Sequence, residues 1–254
     1  MFAFGKTVMP DGVVVSVEEG VPQGGPLSPL LSNIVLSELD SELARRGHRF
    51  VRYADDCNIY VKTQRAGERI KASVTRFIED RLKLTVNQAK SAVDRPWKRK
   101  FLGFSFSLDK KEPKIRVAKA SLQKVRARIR EITSRRRSMK MEMRIKELNQ
   151  YLTGWCGYFS LADTPSIFQN MDSWIRRRLR MCLWKQWKKP KTKVKRLISL
   201  GMPRDKAFEW GNTRKGYWRI AGSPILHRAL GNQFWKSNGL KSLMDRYNSL
   251  RNIS

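Results

Sequence analysis

Acidic residues are scarce in this chain of 254 residues: 22 Asp and Glu stand against 53 Lys and Arg. Histidine and cysteine are scarcer still. The two histidines, His48 and His227, lie far apart in sequence, and Cys57, Cys156 and Cys182 have no metal-ligand spacing. That pattern reads as buried thiols in a reducing compartment rather than as a metal site. No apolar run approaches the roughly 18 residues of a membrane span. The opening stretch "MFAFGKTV" lacks a charged start followed by a long apolar region, so it is not a secretory signal. Internal repeats are absent. Tryptophan is missing from the first 96 residues, and all eight fall after that.

What is present is a charge step. Residues 1–94 hold 13 Lys/Arg against 12 Asp/Glu, net +1; residues 95–254 hold 40 against 10, net +30. Two units with different tasks are implied. A field of that sign attracts polyanions, of which nucleic acid is the commonest large one. Ribosomal or histone-like proteins share such basicity but are usually shorter and poor in tryptophan. With 41% hydrophobic residues the chain can bury a core.

Periodicity and turn chemistry place the elements. "TVM" and "VVVSV" around Pro10-Asp11-Gly12 predict a hairpin over 6–19. The glycines and prolines of "EGVPQGGPLSP" forbid regular structure. Ser28 and Pro29 open a helix with the stripe Leu31, Ile34, Val35, Leu39 and Leu43, stopped by Gly47. "FVRY" and "NIYV" are short strands with Ala54-Asp55-Asp56-Cys57 between them, and a second helix covers 68–82. "LKLTV" and "FLGFSF" read as further strands. The first part is therefore an antiparallel sheet with helices on one side. Beyond residue 115 apolar stripes are helical: Leu122 to Ile132, Ile145 to Trp155 ending near Gly157, and a helix capped by Asp163 or Thr164. Shorter helices are expected over 193–200 and 204–210, and the tail is mixed. The fold class is α+β.

Asp55 and Asp56 are the chemically conspicuous pair. Asp tolerates turns, but two adjacent carboxylates repel, and water, cations or metal must relieve this. Two-metal phosphodiester synthesis needs carboxylates holding Mg²⁺ ions roughly 3.5–4 Å apart. Mg²⁺ favours hard oxygen ligands and keeps several waters, and a hairpin tip is a rigid, solvent-accessible mount.

"YADD" some thirty residues after "GVPQGGPLSPLLSNIVL" resembles the reverse transcriptases encoded by group II introns, the intron maturases. The resemblance implies a partial polymerase palm over 1–114 and a helical thumb with a maturase-specific RNA-binding domain over 115–254. Asp55 and Asp56 become catalytic metal ligands for Mg²⁺. Tyr53, Ala54, Pro22, Gln23, Gly24 and Gly25 lie on the template and nucleotide side. Lys90, in "LKLTVNQAKS", is a candidate acid for the departing pyrophosphate, and Leu102 and Gly103 resemble the primer grip. Stretch 116–137 fits the thumb; "ELNQYLTGWCGYF" and "WIRRRLRMCLWKQWKK" look like the maturase domain. RNA contacts are implied for Arg126, Arg130, Arg135, Arg136 and Arg137, and for Arg176, Arg177, Arg178, Arg180, Lys185, Lys188 and Lys189. Trp155, Tyr158 and Phe159 continue an apolar stripe and read as core; Trp184 and Trp187 suit base stacking or burial equally.

The implied partners are group II intron RNA, an RNA template and a DNA primer, with no membrane. The implied compartment is the bacterial cytoplasm or an organelle matrix. The chain departs from the family pattern at its start. Only nineteen residues precede Gly20, with the single aspartate Asp11 in a "PDG" turn, so fingers and the first catalytic aspartate are expected to be missing. An impaired polymerase, restorable by a separately encoded N-terminal half, is one expectation. A non-catalytic RNA-binding splicing factor and a non-functional gene remnant are the alternatives.

Overall fold

The computed structural model describes residues 27–109 and 111–252, together with strands β1 (Gly5–Val8) and β2 (Val14–Val17). These strands pair antiparallel, as the alternating β-branched residues predict. The Pro10-Asp11-Gly12 turn between them lies outside the described residues.

The chain forms two compact units, Met1–Arg95 and Pro96–Ser254. In the first, helix α1 (Ser28–Arg45) is followed by the hairpin β3 (Arg49–Tyr53) and β4 (Asp56–Tyr60), then helix α2 (Gln64–Asp80). Of the expected α1 stripe Leu39 and Leu43 are buried and Ile34 is exposed; the buried face includes Leu36 instead, and packs against Phe50, Cys57 and Ile59 of the hairpin and Val74, Phe77 and Ile78 of α2. Gly47 ends α1 with φ +71, a conformation L side chains resist. Thr63 caps α2 by accepting from the Ala66 amide.

The expected strand over 82–86 is absent. Leu82 and Leu84 donate their amides back to the carbonyls of Phe77 and Ile78, so the segment closes the C-terminal end of α2 instead of entering a sheet. Strands among the described residues form three separate two-stranded hairpins rather than one sheet.

The second unit opens with β5 (Phe104–Phe106) and β6 (Ile115–Val117), paired antiparallel. Helices α3 (Lys119–Ile132), α4 (Met141–Phe159) and α5 (Pro165–Gln186) follow. After them come α6 (Pro190–Ser199), α7 (Arg204–Gly211), α8 (Tyr217–Ile220), α9 (Pro224–Ala229), α10 (Asn232–Ser237) and α11 (Leu243–Arg251). The tail that reads as mixed in the sequence is thus a run of short helices. The periodic apolar positions build one core, including Val125, Ile129, Ile132, Leu148, Leu152, Phe168, Ile175 and Leu179. Helix α4 passes through Gly157 to Phe159 because Phe159 packs against Phe104 of β5, ring centroids 5.1 Å apart. Trp184 and Trp187 are both buried, which settles their two readings in favour of the core. Trp155 and Phe159 also pack there, while Tyr158 remains half exposed.

The border between the compact units falls before the β5–β6 hairpin. The hairpin belongs with the helices because Phe104 stacks on Tyr158, and because Asp163 accepts from the Ile115 amide.

Two inward arginines organise the helical unit. Arg144, 1% exposed, donates to the carbonyls of Ile132, Ser134 and Arg137 after the end of α3. Arg178 donates to Thr133 Oγ1 and to the carbonyls of Arg130 and Thr133. Both satisfy helix-end carbonyls that would otherwise be orphaned. Asp172 does the converse for α11, accepting from Ser242 Oγ and the amides of Leu243 and Met244.

Candidate catalytic hairpin and nucleic-acid interface

The β3–β4 register pairs Tyr53 with Asp56, leaving Ala54-Asp55 as a two-residue turn. Alternation fixes what faces where. Phe50, Arg52, Cys57 and Ile59 face the helices; Val51, Tyr53 and Asp56 face out, with Tyr53 63% exposed. Asp55 and Asp56 are both exposed. Ala54 has φ +52, the left-handed region, which costs an L residue about 1–2 kcal/mol.

Arg52 holds that strained turn. Its Nε and Nη2 donate to Asp40 Oδ1 and Oδ2 at 2.8 and 2.6 Å. Its Nη1 donates to Asn33 Oδ1 and to the Ala54 carbonyl, each at 2.9 Å. Asn33 and Asp40 lie seven residues apart on α1, two turns along one face. The fork of Arg52 therefore ties the hairpin tip to α1 at two levels. Sequence reasoning missed Asn33, Asp40 and Arg52. Their one signal is that Arg52 occupies an inward position of β3, where a cation needs a partner. Asp40, hydrogen-bonded to Arg52, holds that arginine's pKa above its usual value. Burial, with the charge of Asp40, pushes the Cys57 thiol up to about 11.

Because Arg52 is neutralised by Asp40, it leaves the tip carboxylates alone. Among the described residues neither Asp55 nor Asp56 has a cation or hydrogen-bond partner. Two exposed, unpaired carboxylates side by side match the hard-oxygen preference of Mg²⁺. Among the described residues no group of three or more His, Cys, Asp or Glu forms a metal cluster. A cation held at the tip would draw on these two carboxylates and keep several waters.

Lys90 is exposed, at the end of a turn in which Asn87 accepts from the Lys90 amide through its side chain and its carbonyl. Lys71 Nζ secures that turn by donating to the Ser91 carbonyl. Pro22, Gln23, Gly24 and Gly25 lie outside the described residues. Leu102 and Gly103 form a two-residue turn with φ +50 and +79, closed by reciprocal bonds between Phe101 and Phe104. The Leu102 carbonyl accepts from Tyr158 Oη and the Gly103 carbonyl from Ser121 Oγ. Helices α3 and α4 thereby fix this turn.

The implied RNA-contact residues divide by environment. Arg126, Arg130, Arg135, Arg136, Lys185, Lys188 and Lys189 are exposed. Arg135 lies over the Tyr217 ring at 5.0 Å, and Arg130 over Trp174 at 5.6 Å. Arg137 is paired with Glu147. Arg178 faces the protein's own carbonyls, and burial lowers its pKa. Arg177 lies 4.2 Å over Trp218 and donates to that residue's carbonyl. Arg176 donates to Ser173 Oγ, and Arg180 is buried. Among the described residues no helix is long and apolar enough to cross a membrane.

Residues 7–106 match the family model for reverse transcriptase (RNA-dependent DNA polymerase). Residues 122–199 match that for the group II intron maturase-specific domain. A retron Mx65 reverse transcriptase of Myxococcus xanthus is 39% identical over 77 residues, which cover 29% of this chain and 18% of that protein. Protein YkfC of Escherichia coli (strain K12) is 32% identical over 116 residues, covering 32% of this chain and 30% of that protein. The chain thus spans less than a third of either relative.

Proposed function

From a chain that belongs to the group II intron reverse transcriptase/maturase family, we propose RNA-directed DNA synthesis at the β3–β4 hairpin, joined to intron RNA binding by the helical unit. The observation that carries this reading is the order of parts: an exposed, unpaired carboxylate pair inside the polymerase match, then a cationic maturase match.

In this reading residues 1–114 are palm and 115–254 are thumb and maturase domain. Asp55 and Asp56 would hold Mg²⁺, which would supply activation of a 3′-hydroxyl and stabilisation of charge on phosphate. Arg52 is a positioning residue: it fixes the tip without neutralising it. Tyr53 stands beside Asp56 on the open face, toward the nucleotide, and Ala54 shapes the turn. Pro22, Gln23, Gly24 and Gly25 line the template side. Lys90 holds the proton for the departing pyrophosphate. Leu102 and Gly103 place the primer. The exposed arginines and lysines of α3, of its C-terminal loop and of α5 bind intron RNA phosphates and so assist splicing.

Two measurements test it. RNA-templated primer extension, by the chain alone or complemented by a separate N-terminal half, is lost in Asp55→Ala and in Asp56→Ala, while intron RNA binding is retained. Extension indifferent to both substitutions refutes the catalytic half. Binding to intron RNA weakens steeply with salt, log K against log[salt] having a slope of about −0.9 per phosphate engaged in duplex; a flat profile refutes the binding half. A second reading, a splicing factor acting through RNA binding alone, is favoured by the helical unit having its own core and nearly all the net charge. Splicing rescue that survives alanine at both aspartates would select it.

A further inference from the structure

One face of α5 meets the turn between α9 and α10 in a cavity of about 320 Å³, lined by Ser173, Arg176, Arg180, His227, Gly231 and Asn232. Every side chain there is cationic, titratable toward a cation, or neutral and polar. Arg180 is 3% exposed. Its Nε donates to the Ala221 carbonyl at 2.9 Å and its Nη1 to the Leu230 carbonyl at 3.4 Å. Its Nη2 stands 3.2 Å from His227 Nε2. Three of the five guanidinium N–H groups are thereby engaged.

What is missing is a counter-charge. Among the described residues no carboxylate pairs with Arg176, Arg177 or Arg180. The acid on the preceding turn of α5, Asp172, is committed to the start of α11. In the first unit the inward Arg52 has Asp40; in the helical unit Arg144 and Arg178, like Arg180, are bonded to carbonyls, but neither of them lines this cavity with a second arginine and a histidine. Here burial, then Arg176 and Arg177, push the Arg180 pKa down to about 10. Burial and the same three arginines push His227 down. A buried guanidinium beside two others and no acid is an unfavourable arrangement that an anion would reverse.

We propose that this cavity is a phosphate-binding site that takes one phosphodiester of bound RNA. The guanidiniums of Arg176 and Arg180 offer fork-shaped donors to two phosphate oxygens. Ser173 Oγ and the Asn232 amide offer neutral donors, and His227 gains a proton as the anion arrives. The net +30 of residues 95–254 selects a polyanion over an isolated acidic side chain. The RNA source rests on the maturase reading given above; the phosphate chemistry does not.

The chain has two histidines, so imidazole proton resonances give a resolved probe, with His48 of the first unit as internal control. Inorganic phosphate and a short intron-derived RNA are titrated separately into the full chain. Both raise the His227 titration midpoint, RNA at a concentration at least tenfold lower, and His48 does not respond. An unmoved His227 with inorganic phosphate and RNA alike overturns the site. A response to inorganic phosphate that RNA neither reproduces nor displaces overturns the RNA assignment. In parallel, the double variant Arg176→Gln/His227→Gln leaves Arg180 and the fold in place, checked by an unchanged thermal transition. Its log K–log[salt] slope for RNA falls in magnitude by about 0.7–0.9, one phosphate's share. An unchanged slope overturns the proposal even where wild-type binding is tight and salt-dependent. Wild-type protein that binds no RNA overturns the maturase reading instead, and leaves the phosphate titration of His227 to decide the pocket.

Discussion

Replacing Arg52 by alanine should loosen the β3–β4 hairpin without disturbing the helical unit. The substitution removes two bonds to Asp40, one to Asn33 and one to the Ala54 carbonyl. The arginine side chain is 12% exposed and its partner 33%, so water can re-solvate part of Asp40 once the cation is gone. Breaking a fully buried pair costs about 3–5 kcal/mol, and bonds to charged groups about 1.5–3 kcal/mol each. The partial exposure of Asp40 lowers the expected loss to about 2–3 kcal/mol. The left-handed Ala54 is held by the same guanidinium, so the tip should relax as well. Hydrogen exchange at the β3 and β4 amides reads this directly: local opening rises roughly 30- to 150-fold. Tryptophan emission is a built-in control, since every tryptophan lies beyond residue 96; its denaturation midpoint should not move. Arg52→Lys keeps the charge but not the fork and should fall between. Exchange within threefold of wild type in Arg52→Ala would refute the strut, as would an equal shift of the tryptophan transition.

Gly103→Ala adds a Cβ 3.0 Å from Ser121 Oγ and 3.2 Å from the Phe159 ring, at φ +79, and should cost about 1–3 kcal/mol, read as a lowered tryptophan-monitored melting midpoint. Arg144→Met strands the carbonyls of Ile132, Ser134 and Arg137; a loss of about 3–4 kcal/mol is expected by the same assay, and a change below about 1 kcal/mol would show those carbonyls find water. Cys57, held to about 11, is protonated in the folded chain well above the usual thiol range. Its alkylation by iodoacetamide, followed by peptide mass spectrometry, should rise about tenfold per pH unit from 8 to 10, and a plateau above pH 9 would contradict the burial. The sign for stability is the reverse: the unfolded thiol ionises first, so this contribution is full below about pH 8.5 and is lost as pH rises toward 11.

Helix stripes were legible because burial in the helical unit follows the 3.6-residue period: Val125, Ile129 and Ile132 were readable as core, and are. The segment 82–86 was not legible as irregular. Its Leu-Lys-Leu-Thr-Val alternation is a strand pattern, and only the tertiary fact that α2 needs its last carbonyls closed decides otherwise. The carboxylate pair was visible because two adjacent acids in a turn serve no turn geometry. Its support was hidden, because Asn33, Asp40 and Arg52 become neighbours only when β3 lies on α1. Charge runs are the harder case. "WIRRRLR" reads as one basic face, yet its arginines serve different ends: Arg176 and Arg180 line a cavity, Arg177 covers Trp218, and Arg178 closes α3. A helix turns 100° per residue, so four arginines in five positions cannot share a face.

The uneven charge has its own physical logic. A site that attracts Mg²⁺ through two carboxylates is weakened by every uncompensated cation near it, because a neighbouring cation competes for the same oxygens. The first ninety-four residues keep their charge near zero, 13 bases against 12 acids. The one guanidinium shown bonded at the hairpin tip is neutralised by its own carboxylate. Phosphate binding has the opposite requirement, since each lysine or arginine left without an acid can release a counter-ion from RNA. The helical unit meets that requirement with 40 bases against 10 acids. Several of those acids are already committed within the unit: Asp172 to α11, Glu147 to Arg128 and Arg137, Asp163 to Arg251. Metal chemistry and polyanion binding make opposing demands on local charge, and a chain that does both must separate them. Moving acids into α3 or α5 should therefore erode RNA affinity, whereas moving lysines onto β3 or β4 should erode metal affinity and leave RNA affinity intact.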